Sequence, residues 1–124
     1  MKYDQFVRQV EARGSFDSRE HAEKAVRATL SVLGSRLTGG ETKDLASQLP
    51  PEIAAALPAS GGGESFGVDE FLRRVGDQEG TGCSDADVRT HATAVLNTLS
   101  ESVTEGELDD VRAQLPEDFL VLVG

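Results

Sequence analysis

Two histidines and one cysteine are the side chains of this chain best suited to metal binding or nucleophilic chemistry. His21 and His91 are its only histidines, and Cys83 is its only cysteine. No H-x-x-x-H or H-E-x-x-H spacing occurs, so a zinc site carried by one helix is not indicated. A single cysteine also excludes an internal disulfide framework and a multi-cysteine zinc site. His21 is expected on the surface, in the first turn of a helix, and we interpret both histidines as structural or neutral.

The position of Cys83 allows two interpretations. It lies just before Ser84, a good helix N-cap, and the N-terminus of a helix can activate a thiol. Alternatively, its sulfur packs on Val88 as a hydrophobic staple around that cap. We prefer the staple, because no histidine or other base lies nearby in the sequence.

Acidic residues recur in two similar stretches, at residues 38–50 and 104–116. Both read T-x-G-E-x-x-D-x-x-x-Q-L-P. A threonine followed three residues later by a glutamate is the capping-box pattern, and acidic side chains in a first turn also favour the helix dipole. The acids could instead be paired groups of a metal or acid–base site, but capping already accounts for them. The capping residues predicted for the chain, with two serines that precede the long helices, are Ser18, Thr38, Glu41, Ser84, Thr104 and Glu107.

The elements that must position these side chains are predicted to be helices. Hydrophobic residues are 38% of the chain and aromatic residues only 5%, so the core must consist mainly of leucine, valine and alanine. Apolar residues recur at spacings of three and four in seven segments. These helices are predicted over Tyr3–Arg13, from Arg19 to Leu37, after Thr38, from Pro51 through Leu57, from Val68, after Ser84 and after Thr104.

The two halves of the chain align along nearly their whole length with one inserted residue. Residues 1–58 form a first helical repeat, 59–65 a glycine-rich connector and 66–124 a second repeat, and the two repeats share one core because each alone would bury little. The predicted fold is all-α, with two tandem copies of a three- to four-helix unit packed as one pseudo-two-fold helical bundle. Matched arginines predict two ion pairs between helices, Arg8 with Asp44 or Glu41 and Arg73 with Asp110 or Glu107, each contributing at most about 1 kcal/mol.

Charge and hydropathy exclude several kinds of partner. The net charge of -10 leaves no basic stripe for nucleic acid or anionic membranes. No window approaches the roughly 18 apolar residues of a membrane span, and no leader pattern begins the chain, so a cytoplasmic location is expected. The apolar run at residues 119–123 either fills the seam between the repeats, which we prefer, or forms a self-association patch through Phe119, Leu120 and Leu122.

Five segments of the chain carry a resemblance to a known family. They are Tyr3-Asp4-Gln5-Phe6, Leu33-Gly34-Ser35-Arg36-Leu37-Thr38-Gly39-Gly40-Glu41, Gln48-Leu49-Pro50, Asp69-Glu70-Phe71-Leu72-Arg73-Arg74-Val75 and Gln114-Leu115-Pro116. Together they resemble the prokaryotic family catalogued as domain of unknown function 2267. The resemblance covers essentially the entire chain and implies an all-helical, internally duplicated, cytoplasmic domain without an assigned reaction or catalytic residues. The sequence departs from the family pattern at Glu105 and at Cys83.

The expected function is that of a non-enzymatic interaction or scaffold module. Duplicated helical units leave a groove between them, and an acidic surface suits protein partners with basic patches. The alternative is a small-molecule-binding domain with a pocket between the two repeats. An enzyme would need a nucleophile or an acid–base pair, and the sequence indicates only caps, scattered acids and two unpartnered histidines. No catalytic residue, cofactor or metal ligand is predicted.

Overall fold

Helices account for nearly all the regular structure of the chain. The computed structural model describes residues 1–38, 40–58, 62–80, 82–115 and 117–119, and none of these residues forms a strand. The all-α class is therefore confirmed. In chain order the helices are α1 (Tyr3–Arg13), α2 (Arg19–Arg36), α3 (Glu41–Ala46), α4 (Pro51–Ala54), α5 (Val68–Glu79), α6 (Asp85–Ser102) and α7 (Glu105–Ala113), followed by a 3-10 turn at Glu117–Phe119.

The two longest helices, α2 and α6, lie at the centre of the core. Helix α2 packs against α1, α5 and α6, and α6 packs also against α1 and α5. Leucine, valine and alanine side chains supply most of the buried surface, with Phe6 and Phe71 fully buried among them. No helix in the described part of the chain is long and apolar enough to cross a membrane.

Both central helices begin with the predicted serine caps. The Ser18 hydroxyl accepts a hydrogen bond from the His21 amide at 3.2 Å, and the Ser84 hydroxyl accepts one from the Asp87 amide at the same distance. These bonds fix where the first turns of α2 and α6 lie. They consequently determine where His21 is placed and how Cys83 approaches α6.

The two T-x-G-E stretches form one contact between α3 and α7 rather than two capping boxes. The Thr104 hydroxyl accepts from the Glu107 amide at 3.3 Å, so Thr104 is a cap. The Thr38 prediction is wrong, because α3 begins at Glu41 with Gly40 as its N-cap.

Glutamines from the opposite stretch bind the two threonines. The Thr38 amide and hydroxyl donate to Gln114 Oε1 at 2.7 and 3.1 Å, and the Thr104 amide donates to Gln48 Oε1 at 2.8 Å. In a capping box the Glu41 and Glu107 carboxylates would accept hydrogen bonds from the Thr38 and Thr104 amides. Because those amides donate to the glutamines, this part of the prediction is wrong. The two carboxylates are free to meet each other instead.

The predicted ion pairs between helices do not form. Arg73 binds Glu70 at 2.6 Å and Asp77 at 2.9 Å on its own helix, and not Asp110. Among the described residues Arg8 makes no ion pair, so its pairing with Asp44 is also wrong. Oppositely charged residues three or four positions apart on a helix are already neighbours, so their ion pair does not require a second helix to be positioned. Arg73 therefore pairs with acidic residues of α5 itself.

The connector and the C-terminal run are described only in part. Residues 59–61 lie outside the described ranges, but the Gly62 and Gly63 amides donate to the Gly34 and Leu37 carbonyls, so the following residues are bonded to the end of α2. Phe119 is fully buried and its ring meets that of Phe71 edge-on at 5.0 Å. Phe119 is therefore not available to a partner. Leu120 and Leu122 lie outside the described residues.

Replacing Gly34 with alanine is expected to destabilise the fold. A Cβ atom at Gly34 would lie 2.2 Å from Cδ of Pro58, so α2 and the segment after α4 would have to separate. Overpacking of this kind costs about 1–3 kcal/mol. The measurement is the free energy of unfolding in urea.

Gly106→Ala is the matched control, because a Cβ atom there meets nothing within 4 Å. It should leave stability unchanged or raise it by up to about 1 kcal/mol. A Gly34→Ala protein as stable as Gly106→Ala would contradict the close contact between α2 and Pro58.

Candidate metal centre

Four side chains with metal-binding atoms converge where α2, α5 and α6 meet. His21 lies in the first turn of α2, Glu79 is the last residue of α5, His91 lies in the second turn of α6, and Cys83 precedes the Ser84 cap. One nitrogen, oxygen or sulfur atom from each lies within 4.8 Å of the others. The cluster thus joins residues from both halves of the chain.

The distances within this cluster are close to those of a tetrahedral site. Glu79 Oε2 lies 3.1 Å from His91 Nδ1 and 3.4 Å from His21 Nε2, and the Cys83 sulfur lies 3.7 Å from His21 Nε2. Zinc–nitrogen, zinc–oxygen and zinc–sulfur bonds of ordinary length place neighbouring ligand atoms of a tetrahedron roughly 3.3–3.6 Å apart. The three measured separations need only small adjustments to meet this condition.

The orientation of His91 is fixed by groups outside the cluster. Its Nε2 lies 2.9 Å from the Ser15 carbonyl oxygen, so an Nε2 hydrogen is donated there and Nδ1 is directed into the cluster. A metal-bound histidine ordinarily donates its second ring hydrogen in this manner. The Phe16 ring stacks on His91 with centroids 4.4 Å apart and meets His21 edge-on at 5.4 Å.

Glu79 is the buried acidic residue of the cluster. It is 3% exposed and His91 is 2% exposed, and Glu79 Oε1 is buried without a hydrogen-bond partner. A buried carboxylate oxygen that accepts no hydrogen bond is costly, and a cation beside it would remove that cost. A surface cavity of about 530 Å³ reaches the cluster past Cys83, His21 and His91, which gives an ion a route in from solvent.

One interpretation made from the sequence is corrected at this site, and a second residue gains a neighbour that the sequence does not show. His21 was expected on the surface, but its side chain is only 11% exposed because Phe16 and the end of α5 cover it. No base lies near Cys83 in the sequence, but the fold brings His21 Nε2 to 3.7 Å from its sulfur. The staple interpretation is compatible with its partial burial, since Cys83 also packs against the core.

Glu79 is the member of the cluster that sequence reasoning missed. One signal was available: it is an acidic residue at the end of a helix whose last turn has no basic residue, where the helix dipole disfavours it. Gly80 then ends α5 in the left-handed conformation at φ 63°. A glutamate at the C-terminal end of a helix indicates that a nearby positive charge stabilises it.

A second group of acidic side chains lies between α3 and α7. Glu41, Glu107 and Asp110 place one carboxylate oxygen each within 4.8 Å of the others. Glu41 is 9% exposed and Glu107 is 7% exposed. Burial, then a hydrogen bond with the Glu107 carboxyl and the charges of Glu107, Asp110 and Asp44, raise the pKa of Glu41 to about 8.

The chain matches a known protein family over nearly its whole length. The sequence model of the family described as "Uncharacterized conserved protein (DUF2267)" matches residues 3–122. No curated protein matches the chain. The family match agrees with the resemblance seen in the sequence and assigns no reaction, so the function must be argued from the chain's own geometry.

Proposed function

The chain belongs to the DUF2267 family of uncharacterised conserved proteins, and we propose that it is a helical module that binds one zinc ion through His21, Glu79, Cys83 and His91. One observation carries the proposal: the four potential ligand atoms, drawn from three helices and a loop, lie within 4.8 Å of one another. Three of their separations lie within a few tenths of an ångström of the edges of a tetrahedral zinc site.

The chemistry of the donor set favours zinc over harder cations. Two imidazole nitrogens, one thiolate and one carboxylate form a mixed set of borderline and soft ligands, whereas Mg²⁺ and Ca²⁺ prefer oxygen alone. The hydrogen bond from His91 to the Ser15 carbonyl would support such a set, because it orients the ring and fixes its tautomer. Binding would release the protons that the free ligands carry.

A closed set of four protein ligands would favour a structural role for the metal. Catalytic zinc keeps an open position for water or substrate, and structural zinc does not. An ion held by His21, Glu79 and His91 would clamp α2, α5 and α6 together. We therefore propose that the protein is not an enzyme but an interaction or scaffold module whose helices the metal holds in place.

The reciprocal contacts of the T-x-G-E stretches support a duplicated architecture within this proposal. Gln114 binds Thr38 while Gln48 binds Thr104, so equivalent residues of the two stretches exchange roles. Such an exchange is what a pseudo-two-fold axis between tandem repeats produces. The metal cluster would break this symmetry, because the proposed site takes its histidines from non-equivalent positions.

Titration with Co²⁺ and Zn²⁺ after treatment with a chelator tests the proposal. The wild-type protein should bind one equivalent of Co²⁺ with the strong visible absorption of a tetrahedral site and a sulfur-to-cobalt band, and Zn²⁺ should displace it. Cys83→Ser should lose the sulfur band. His21→Gln should weaken binding by about a hundredfold or more, which exceeds the effect of losing an outer-shell partner.

Asp87→Asn is the matched control, because Asp87 lines the same cavity but is not one of the four clustered residues. It removes one negative charge and should leave cobalt affinity and the spectrum unchanged. A weak octahedral spectrum in the wild type, or an Asp87→Asn protein impaired as much as His21→Gln, would refute the site.

A further inference from the structure

Two buried carboxylates face each other across the contact between α3 and α7. Glu41 and Glu107 are each more than nine-tenths buried, and the Oε1 atoms of both have no hydrogen-bond partner. Asp110 lies one turn after Glu107 on the exposed side of α7 and brings a third carboxylate within reach.

A positive charge between the two carboxyls would stabilise this arrangement. Two ionised carboxylates in a site shielded from water repel strongly, so without a cation Glu41 keeps its proton up to about pH 8, its raised pKa. The Oε1 atoms without a hydrogen-bond partner have also lost their hydration. A bound cation would satisfy both oxygens at once. Because all the donors are carboxylate oxygens, they favour a hard divalent cation over zinc.

We propose that Glu41, Glu107 and Asp110 form a calcium site at the contact of α3 and α7. One oxygen of each lies within 4.8 Å of the others, close enough for a single ion to contact all three. Ca²⁺ accepts flexible sets of oxygen ligands, whereas Mg²⁺ demands near-ideal octahedral geometry and gives up its waters reluctantly, so three carboxylates from two helices favour Ca²⁺. Exposed Asp110 leaves the outer face open, so water completes the coordination.

The inference does not depend on the zinc proposal. The two sites share no residue, and the donors of the first include nitrogen and sulfur, whereas those of the second are only oxygen. An ion between α3 and α7 would reinforce the contact made by Gln48 and Gln114. Few protein ligands and an open face predict modest affinity, with a dissociation constant on the order of 10⁻⁴ to 10⁻³ M.

Calorimetric titration of the whole chain with CaCl₂, together with melting temperatures in EDTA and in about 10 mM Ca²⁺, tests the proposal. The wild type should bind one Ca²⁺ and melt several degrees higher with it. Glu107→Gln should lose at least about tenfold in affinity and most of the melting shift. Asp110→Asn should lose part of the calcium affinity and part of the melting shift. Because Asp110 is exposed, this variant should fold even if Glu107→Gln does not.

Asp109→Asn is the matched control, since Asp109 is exposed on the same helix and carries the same charge. It should keep the full calcium response, and so should Cys83→Ser, which removes a ligand of the other site. The proposal is overturned if Ca²⁺ does not change the melting temperature of the wild type, which would mean that Glu41 and Glu107 hold only a proton between them. An equal loss in Asp109→Asn would also overturn it, by reducing the response to general charge screening.

Discussion

Replacing His91 with alanine should lower the free energy of unfolding of the metal-free protein by about 3–5 kcal/mol. His91 is 2% exposed, and its Nδ1 lies 3.1 Å from Glu79 Oε2. Truncation would leave Glu79 as a buried carboxylate without this partner and would also open a cavity beside Phe16. Urea denaturation in the presence of EDTA measures the change without interference from bound metal.

His21→Ala separates stability from metal binding. His21 approaches the same carboxylate at 3.4 Å but lies at the edge of the cavity, so its loss should cost no more than about 1–2 kcal/mol. Both variants should lose tetrahedral cobalt binding. The wild type alone should gain about 2.7 kcal/mol when free Zn²⁺ is 100 times its dissociation constant. If the free energy of unfolding falls less in His91→Ala than in His21→Ala, then His91 is not the main partner that stabilises the buried Glu79 carboxylate.

The sequence predicts the helices of this fold well because their signals are local. Ser18 and Ser84 each cap a helix within three residues, and the apolar spacing that follows needs no distant partner. Thr38 shows where local reasoning fails. Its capping box looks the same as that of Thr104, and a distant glutamine binds the amide of each threonine, but the Thr38 hydroxyl also donates to Gln114 and α3 begins three residues later.

The cluster of His21, Glu79, Cys83 and His91 could not be predicted from spacing, because no two of its residues share a helix. Motif reasoning finds ligands that one helix or one loop presents together. Here the packing of α2 against α5 and α6 brings His21 to Glu79 and His91. The same limit applies to the acidic pair, since Glu41 and Glu107 look like two separate caps until α3 is seen to pack on α7.

Glu41→Gln should make the chelated protein more stable than wild type at pH 8.5 and equally stable near pH 4.5. Burial and the neighbouring Glu107 carboxyl raise the pKa of Glu41 from its ordinary value of 4.5 to about 8. The folded protein therefore keeps a proton that the unfolded chain releases above about pH 4.5. Wild-type stability consequently falls as the pH rises from about 4.5 to about 8, and changes no further above that range through this group.

Each pKa unit corresponds to about 1.4 kcal/mol, so wild type should lose on the order of several kcal/mol across this window. Glutamine keeps the shape of the side chain and has no proton to lose. The free energy of unfolding of Glu41→Gln should therefore vary much less with pH. Glu105→Gln makes the same charge change at an exposed position two residues from Glu107 and should follow the wild-type curve. Parallel curves for Glu41→Gln and wild type, measured by urea unfolding in EDTA from pH 4.5 to 9, would show that the buried pair does not control this pH dependence.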